Sequence, residues 1–457
     1  MINFGFDSAI TVNENNEMDT PYPNMYSEEL YGFDINPYQE KYNGFPIKID
    51  QIEESDAIFL GGRSIYSNLN KDLYYINKNT VDYYIENNID FIYSLLIWNN
   101  DLFDKNLQPT IPNKVKDQME MGKCRLMIFY ITEPWFMYQH CYEWLSNFST
   151  TNGLNKNNFI FVSSNLIAPE IKDRYVNEGI IKDNFSIVEF NYFFHRLWFF
   201  KEDFHRSNSM DLYKKILDEN LNNHRSTPKE KHFLMFNRKP HDHRVALFAE
   251  VMTNEKLRDK SIITLGSQDM IGGQIYKDAI RRFIDENYKH GYERLYEFID
   301  SVDPTKDYLY DTESMVDEQS IHINLNAHHK TFCNVVTETL TSENLLFFSE
   351  KIIKPIFALQ PFIIIGNRNS LQKLKEYGFK TFDKWWDESY DQEKHQNRFE
   401  RIIELLEEIS NWDDEKIKRT LVEMEDILIH NFNMLLKDNS TTQFFDKILN
   451  MNSKTLR

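Results

Sequence analysis

The chain has little cysteine and no long apolar run. Three cysteines, Cys124, Cys141 and Cys333, are scattered through 457 residues. Their odd number and spacing fit neither a disulfide framework nor a zinc site, and a reducing compartment suits them best. No stretch approaches the roughly 18–20 apolar residues of a membrane span. The N-terminal Met1-Ile-Asn-Phe-Gly-Phe-Asp7 lacks the basic region and apolar core of a signal peptide. The expectation is a soluble, cytoplasmic protein of a bacterium or a virus-infected host cell, with no membrane span. Positive charge is also scarce. Lys and Arg number 52 against 71 Asp and Glu, a net charge of −19. That balance disfavours broad, sequence-independent binding to nucleic acid, which needs cations to displace counterions. Only a local basic cleft is left open. Gly-x-Gly-x-x-Gly, Gly-x-x-x-x-Gly-Lys-Ser/Thr, Gly-x-Ser-x-Gly and His-Glu-x-x-His are all absent.

What is present suits large cores: 41% of residues are hydrophobic and 15% aromatic. The length allows two or three domains. Residues 1–50, rich in Asn, Tyr, Pro and Glu, have little periodicity and read as an irregular arm. From Ala57-Ile-Phe-Leu-Gly-Gly62 onward, short apolar segments alternate with polar stretches of helical length. Phe91–Leu96, Arg125–Ile131, Phe159–Val162 and Ser186–Phe190 are the strands of this region. A charged segment, 201–231, then interrupts the pattern. A second alternation follows, with strands at His232–Phe236, Ser261–Leu265, Ile321–Asn326, Asn334–Glu338 and Phe362–Ile365. Strands alternating with helices imply parallel sheets covered on both faces. Beyond 395 the periodicity is helical, at Arg398–Ser410 and Asp414–Leu436. The fold class is therefore α/β: two Rossmann-like domains facing a cleft, with C-terminal helices. The divisions fall at 51–215, 216–395 and 396–457.

The stretch Phe348-Ser-Glu-Lys-Ile-Ile-Lys-Pro-Ile-Phe-Ala-Leu-Gln-Pro-Phe-Ile-Ile-Ile-Gly366 is the most informative. It reads as a helix opened by Glu350, Lys351 and Lys354, then a buried strand. A carboxylate there suits ribose hydroxyls, and two ammonium groups suit a diphosphate. The four-residue spacing of Glu350 and Lys354 equally fits a helix-stabilising ion pair, worth roughly 0.2–0.5 kcal/mol. Pro355 implies that the helix starts late or bends.

A second stretch is Lys231-His-Phe-Leu-Met-Phe-Asn-Arg-Lys-Pro-His-Asp-His-Arg244. Its strand delivers Asn237, Arg238 and Lys239 to a helix start, where Arg244 follows. Backbone amides and cations there suit phosphate oxygens, and a solvated basic turn is the plainer alternative. His241 and His243 lack a third ligand with metal spacing. Glu338 ends another strand, as a second acid for hydroxyls or as a loop acid. In the first half, Leu126-Met-Ile-Phe-Tyr-Ile-Thr-Glu-Pro-Trp135 places Glu133 at a strand end, where it suits a general base. His195, in Asn191-Tyr-Phe-Phe-His-Arg196, is the other candidate base. Ser163 and Asn165 suit hydrogen bonds to a polar acceptor.

Ser349-Glu-Lys-x-x-Lys-Pro followed by a buried strand resembles the Thr-Glu-Lys-x-x-(Lys/Arg) segment of α-1,3-fucosyltransferase-like proteins. Glu338 resembles the acid that precedes that segment there. With Phe236-Asn-Arg-Lys-Pro-His-Asp-His-Arg244 and Phe379-Lys-Thr-Phe-Asp-Lys-Trp-Trp-Asp-Glu-Ser-Tyr390, the likeness extends to phage-type glycosyltransferase-like proteins. It covers about 230–395. Lys354-Pro355 departs from the fucosyltransferase pattern. The resemblance implies a two-Rossmann (GT-B) glycosyltransferase whose C-terminal domain holds a nucleotide-sugar donor, with a glycan or other hydroxyl compound as acceptor. By analogy Glu350 would hold ribose, and Lys351 or Lys354 with Arg238 the diphosphate. Inversion at the anomeric carbon comes from the same analogy. No Asp-x-Asp is present, so a metal-independent reaction is expected, with no cofactor. Two alternatives stay open: a non-catalytic nucleotide- or glycan-binding virion protein, and a glycosyltransferase acting on phage DNA bases.

Overall fold

The computed structural model describes residues 2–6, 76–96, 111–130, 136–191, 194, 210–266, 277–287, 293–303, 306–310, 323–437, 444, 446–448 and 450. The strand read at 57–62 lies outside them. The chain divides into two compact units, Met1–Glu202 with Asn439–Arg457, and Asp203–Asp438.

Among the described residues, the first unit holds a six-stranded parallel sheet in the order β2-β1-β3-β4-β5-β6. Its strands are β1 (Ile2–Phe6), β2 (Ile76–Thr80), β3 (Phe91–Leu96), β4 (Cys124–Tyr130), β5 (Phe159–Ser163) and β6 (Ser186–Glu189). All five residues of β5 are buried, as a parallel strand covered on both faces requires. Helices Gln139–Thr151 and Ala168–Asn177 follow β4 and β5. The core is aromatic: Phe136 lies 4.6 Å from Phe161 and 4.4 Å from Tyr142, between ring centroids.

Two readings of the sequence are corrected here. Ile2–Phe6, assigned to the irregular arm, is an inner strand between β2 and β3. Its Ile-Asn-Phe-Gly-Phe carries too few apolar residues to signal burial, and only pairing on both edges reveals it. The segment 396–457, read as one set of C-terminal helices, is divided, its residues up to Asp438 falling in the second unit and those from Asn439 in the first. Buried Phe444 packs on Phe129 and Phe190 of the first, with ring centroids 6.2 and 4.7 Å apart.

The second unit is built on β7 (Lys231–Asn237), β8 (Ser261–Leu265), β9 (Tyr308–Tyr310), β10 (Thr331–Thr337) and β11 (Phe362–Ile365), in the order β11-β10-β7-β8-β9. Only β9 among these runs antiparallel to its neighbour. Every residue of β8, β10 and β11 is buried. Helix Asp242–Thr253 is buried from His243 to Val251, because Val245-Ala-Leu-Phe-Ala249 leaves it no polar face.

The strand read at 321–326 is corrected too. Residues 323–324 are irregular, and helix Leu325–Lys330 begins after Asn324, whose side chain accepts from the Ala327 amide at 3.0 Å. That cap turns an apolar-looking run into a helix start.

The order of strands positions the site. From β7 the chain builds outward through β8 and β9. It then crosses to the other side of β7 to form β10 and β11. The topological switch point therefore lies between β7 and β10. In open α/β sheets, ligands bind beyond the strand carboxyl ends at such a point.

Candidate functional site at the ends of β7 and β10

β7 ends at Asn237 and β10 at Thr337, and these two residues are joined. The Thr337 hydroxyl donates to Asn237 Oδ1 at 2.6 Å. Asn237 is fully buried, and its Nδ2 has no hydrogen-bond partner. Arg244, one turn into the helix after β7, reaches under the same strand end. Its Nη2 donates to the Thr337 and Glu338 carbonyls at 3.0 and 3.1 Å, and its Nη1 to the Lys239 carbonyl at 3.3 Å. Its Nε has no partner. Burial pulls the guanidinium down to about 10, against the pull of Glu338 and Glu350. His243 Nε2 also donates to the Glu338 carbonyl, at 2.8 Å.

Glu338 is the hub of this arrangement. Its carboxylate accepts from the Ser349 amide at 3.2 Å and from the Ser349 hydroxyl at 2.6 Å. Burial pushes this carboxyl above its ordinary range, although Lys351 and the Ser349 donors oppose the shift. Both oxygens are thus engaged in fixing Ser349. Gly366, after β11, lies against the same side chain: an added Cβ would sit 3.1 Å from Glu338 Cγ.

Ser349 is the N-cap of helix Glu350–Phe357, and its hydroxyl accepts from the Lys351 amide at 3.3 Å. The helix thus starts at Glu350, before Pro355. Pro355 lies inside the helix, which stops two residues later. Lys351 Nζ donates to Glu350 at 3.1 Å, to Ser349 Oγ at 3.2 Å and to Thr339 Oγ1 at 3.3 Å. For Glu350, burial pushes the carboxyl upward. Lys351, its own backbone amide and Lys354 outweigh that and hold it below the usual range. Glu350 is therefore a carboxylate at neutral pH, while Lys354 is buried in the last turn.

Of the residues read from sequence, Asn237, Arg244, Glu338, Glu350, Lys351 and Lys354 thus lie in or beside one network at the sheet's switch point. Arg238 and Lys239 are exposed on the loop that leaves β7. His241 follows, half-buried, and its Nε2 also lacks a partner. The histidines stack, with ring centroids 6.1 Å apart and planes at 8°. Among the described residues, no group of three or more His, Cys, Asp or Glu is placed to hold a metal ion. Sequence reasoning missed the site roles of Ser349, Thr337 and His241. A serine ahead of a charged helix start is a capping signal. The other two depend on neighbours brought in by tertiary structure.

In the first unit, Ser163 and Asn165 are fully buried at the end of β5. The Asn165 amide donates to Ser163 Oγ at 3.1 Å, and Asn165 Nδ2 donates to the Phe136 carbonyl at 2.8 Å. These bonds shape the turn after the strand. Glu133 and His195 lie outside the described residues. Of the paired tryptophans, Trp386 is buried against Phe382 and Phe332, and Trp385 donates to Glu423 at 2.9 Å. Among the described residues, no helix is long and apolar enough to cross a membrane.

No protein-family model matches the chain, and no curated protein does. Solved structures do. The UDP-forming trehalose-phosphate synthase of Burkholderia vietnamiensis is 10% identical, with 98% of this chain and 92% of that chain covered, at a TM-score of 0.41. That of Burkholderia xenovorans is 10% identical, with 91% and 85% covered, at 0.40. The N-terminal domain of Candida albicans trehalose-6-phosphate phosphatase is 9% identical, with 79% and 70% covered, at 0.39. At these scores the likeness carries no inference about donor, acceptor or reaction.

Proposed function

We propose that the second unit binds the nucleoside diphosphate of a nucleotide-sugar donor, and that the protein is a glycosyltransferase acting on an acceptor hydroxyl. One observation carries this reading. Cations and unpartnered buried donors gather at the switch point, and the nearby acids are already engaged. Asn237 Nδ2 and Arg244 Nε have no acceptor. Glu338 is taken by Ser349, and Glu350 accepts from Lys351. A buried donor without a partner costs roughly 1–3 kcal/mol, and an anionic ligand would supply what is missing. The resemblance of 230–395 to fucosyltransferase-like proteins supports the same reading.

In this reading Glu350 accepts from the ribose hydroxyls. Arg238, Lys239, Lys351 and Lys354 face the diphosphate and stabilise it as it leaves. Arg244, Asn237 and Glu338 fix the strand ends beneath. Glu133, or else His195, takes the acceptor proton. The acceptor oxygen then attacks the anomeric carbon opposite the nucleotide, with inversion and without a metal. Ser163 and Asn165 shape the acceptor-side strand end.

Thermal shift with nucleosides, nucleoside diphosphates and nucleotide sugars tests the donor site. A specific ligand at a hundred times its Kd stabilises by about 2.7 kcal/mol. Glu350→Ala should weaken both nucleoside and diphosphate. Lys354→Ala and Arg238→Ala should weaken the diphosphate and leave the nucleoside nearly unchanged. Wild-type diphosphate binding by all three variants overturns the assignment. Binding of a nucleotide sugar without release of free nucleotide in the presence of any acceptor leaves a binding protein.

A further inference from the structure

We infer that His241 is a phosphate-contacting residue of this site, one that takes up a proton as the phosphoryl group arrives. The inference rests on the reading above only in that the donor's phosphates lie at the ends of β7 and β10. Three unpartnered polar atoms belong to one short stretch here: Asn237 Nδ2, His241 Nε2 and Arg244 Nε. Two of the three residues, Asn237 and Arg244, are at least 98% buried. His241 is the N-cap of helix Asp242–Thr253, whose first amides and dipole favour an anion. Its ring is held parallel to His243, which is itself tied to the Glu338 carbonyl.

The charges around His241 come from several elements. Lys239 precedes it on the loop, and Arg244 and Asp242 share its helix. Lys351 comes from helix Glu350–Phe357, and the carboxylates Glu350 and Glu338 lie beside Lys351 and Arg244. Glu338 is engaged with Ser349, Glu350 with Lys351, and Asp242 feels Arg282. Burial first, then Arg244, Lys351 and Lys239, hold the imidazole down to about 3. A fourth cation is not tolerated in this company, so the free protein carries a neutral ring. A phosphate oxygen reverses that balance. Nε2 gains an acceptor, the local charge turns negative, and the ring's proton affinity rises. The proton comes from solvent, and the imidazolium then donates to the phosphate. Binding and protonation are linked, so affinity rises on acidification, by at most about tenfold per pH unit for one proton.

The test uses inorganic pyrophosphate, UDP and GDP with the full-length protein. Calorimetry at pH 6 in two buffers of different ionisation enthalpy counts the protons taken up. The expected result is proton uptake with pyrophosphate in the wild type. His241→Gln, which keeps a hydrogen-bonding amide but cannot be charged, should abolish the uptake and weaken binding about tenfold, the equivalent of one pKa unit. A second readout needs no variant: the His241 ring resonance in the wild-type spectrum should titrate at higher pH with pyrophosphate than without. Equal uptake in the variant, or an unmoved titration, overturns the inference. UDP or GDP binding without His241-linked uptake overturns it too, and leaves the nucleotide reading standing. Pyrophosphate binding with His241-linked uptake, but no nucleotide binding, supports the inference and ends the nucleotide reading. If none of the three ligands binds, both fall.

Discussion

Ser349→Ala removes a single oxygen that holds three parts of the site. The Ser349 hydroxyl accepts from the Lys351 amide at 3.3 Å and donates to Glu338 at 2.6 Å. Losing a helix N-cap costs about 0.5–2 kcal/mol. Losing a donor to a charged group costs about 1.5–3 kcal/mol. The same atom serves both, and Glu338 keeps the Ser349 amide, so the expected loss is about 2–4 kcal/mol rather than the full sum. Against a typical stability of about 5–15 kcal/mol, that is large. Urea unfolding followed by tryptophan fluorescence measures it, because Trp386 and Trp412 are buried reporters in the second unit. The loss should also depend on pH. Burial already raises the Glu338 carboxyl, and the variant removes one opposing donor and raises it further. The folded variant therefore binds a proton more readily than the folded wild type. Its deficit shrinks as pH falls through the raised range of this carboxyl. In a double-mutant cycle with Glu338→Gln, coupling of at least about 1 kcal/mol is expected. Additivity within about 0.3–0.5 kcal/mol, or a small loss that ignores pH, refutes the account of Glu338 and Ser349 as a coupled pair.

Lys229 gives a second test of pH dependence. Its Nζ donates to the His329 carbonyl at 2.6 Å, and burial pulls its ammonium down to about 8. The unfolded chain then holds more protons between about pH 8 and 10.4, so this residue's contribution to stability rises with pH across that window. Urea titrations should show wild type gaining on Lys229→Met there, and parallel curves would exclude the effect. Phe444→Ala should destabilise the first unit by about 3–5 kcal/mol, read by thermal unfolding, since its ring is buried on Phe129 and Phe190. A loss under about 1 kcal/mol would show that the C-terminal segment does not hold that core. Glu133→Gln should lower transfer by about 10²–10⁴ with donor affinity nearly intact. Unchanged turnover would move the base assignment to His195.

Much of this architecture is legible in the sequence, because a parallel strand buried on both faces must be apolar throughout. Phe362–Ile365 announces itself that way, and Phe91–Leu96 and Ser261–Leu265, with one and two Ser or Thr residues among their apolar ones, come close. Gly366 also has a physical reason that only the fold supplies: a side chain there would press on Glu338. Ile2–Phe6 is the counterexample. Its composition is weak, and it becomes a strand because β2 and β3 pair with both its edges.

The charged residues show where local reading stops. Composition, spacing and strand ends pick out Asn237, Arg244, Glu338, Glu350 and Lys351, because chemistry in such sheets collects at strand and helix termini. The sequence by itself determined the class of fold and the residue types offered at each terminus, since both follow from short-range pattern. Tertiary structure decided what each of them does. A crossover of the chain sets β10 beside β7, 100 residues earlier, so that Thr337 meets Asn237. The same placement buries Glu338 against Ser349 and leaves Asn237, His241 and Arg244 each with an atom to satisfy. Whether a polar group is spent or still available depends on which distant groups share its low-dielectric surroundings, and that is a property of the packed molecule rather than of any segment.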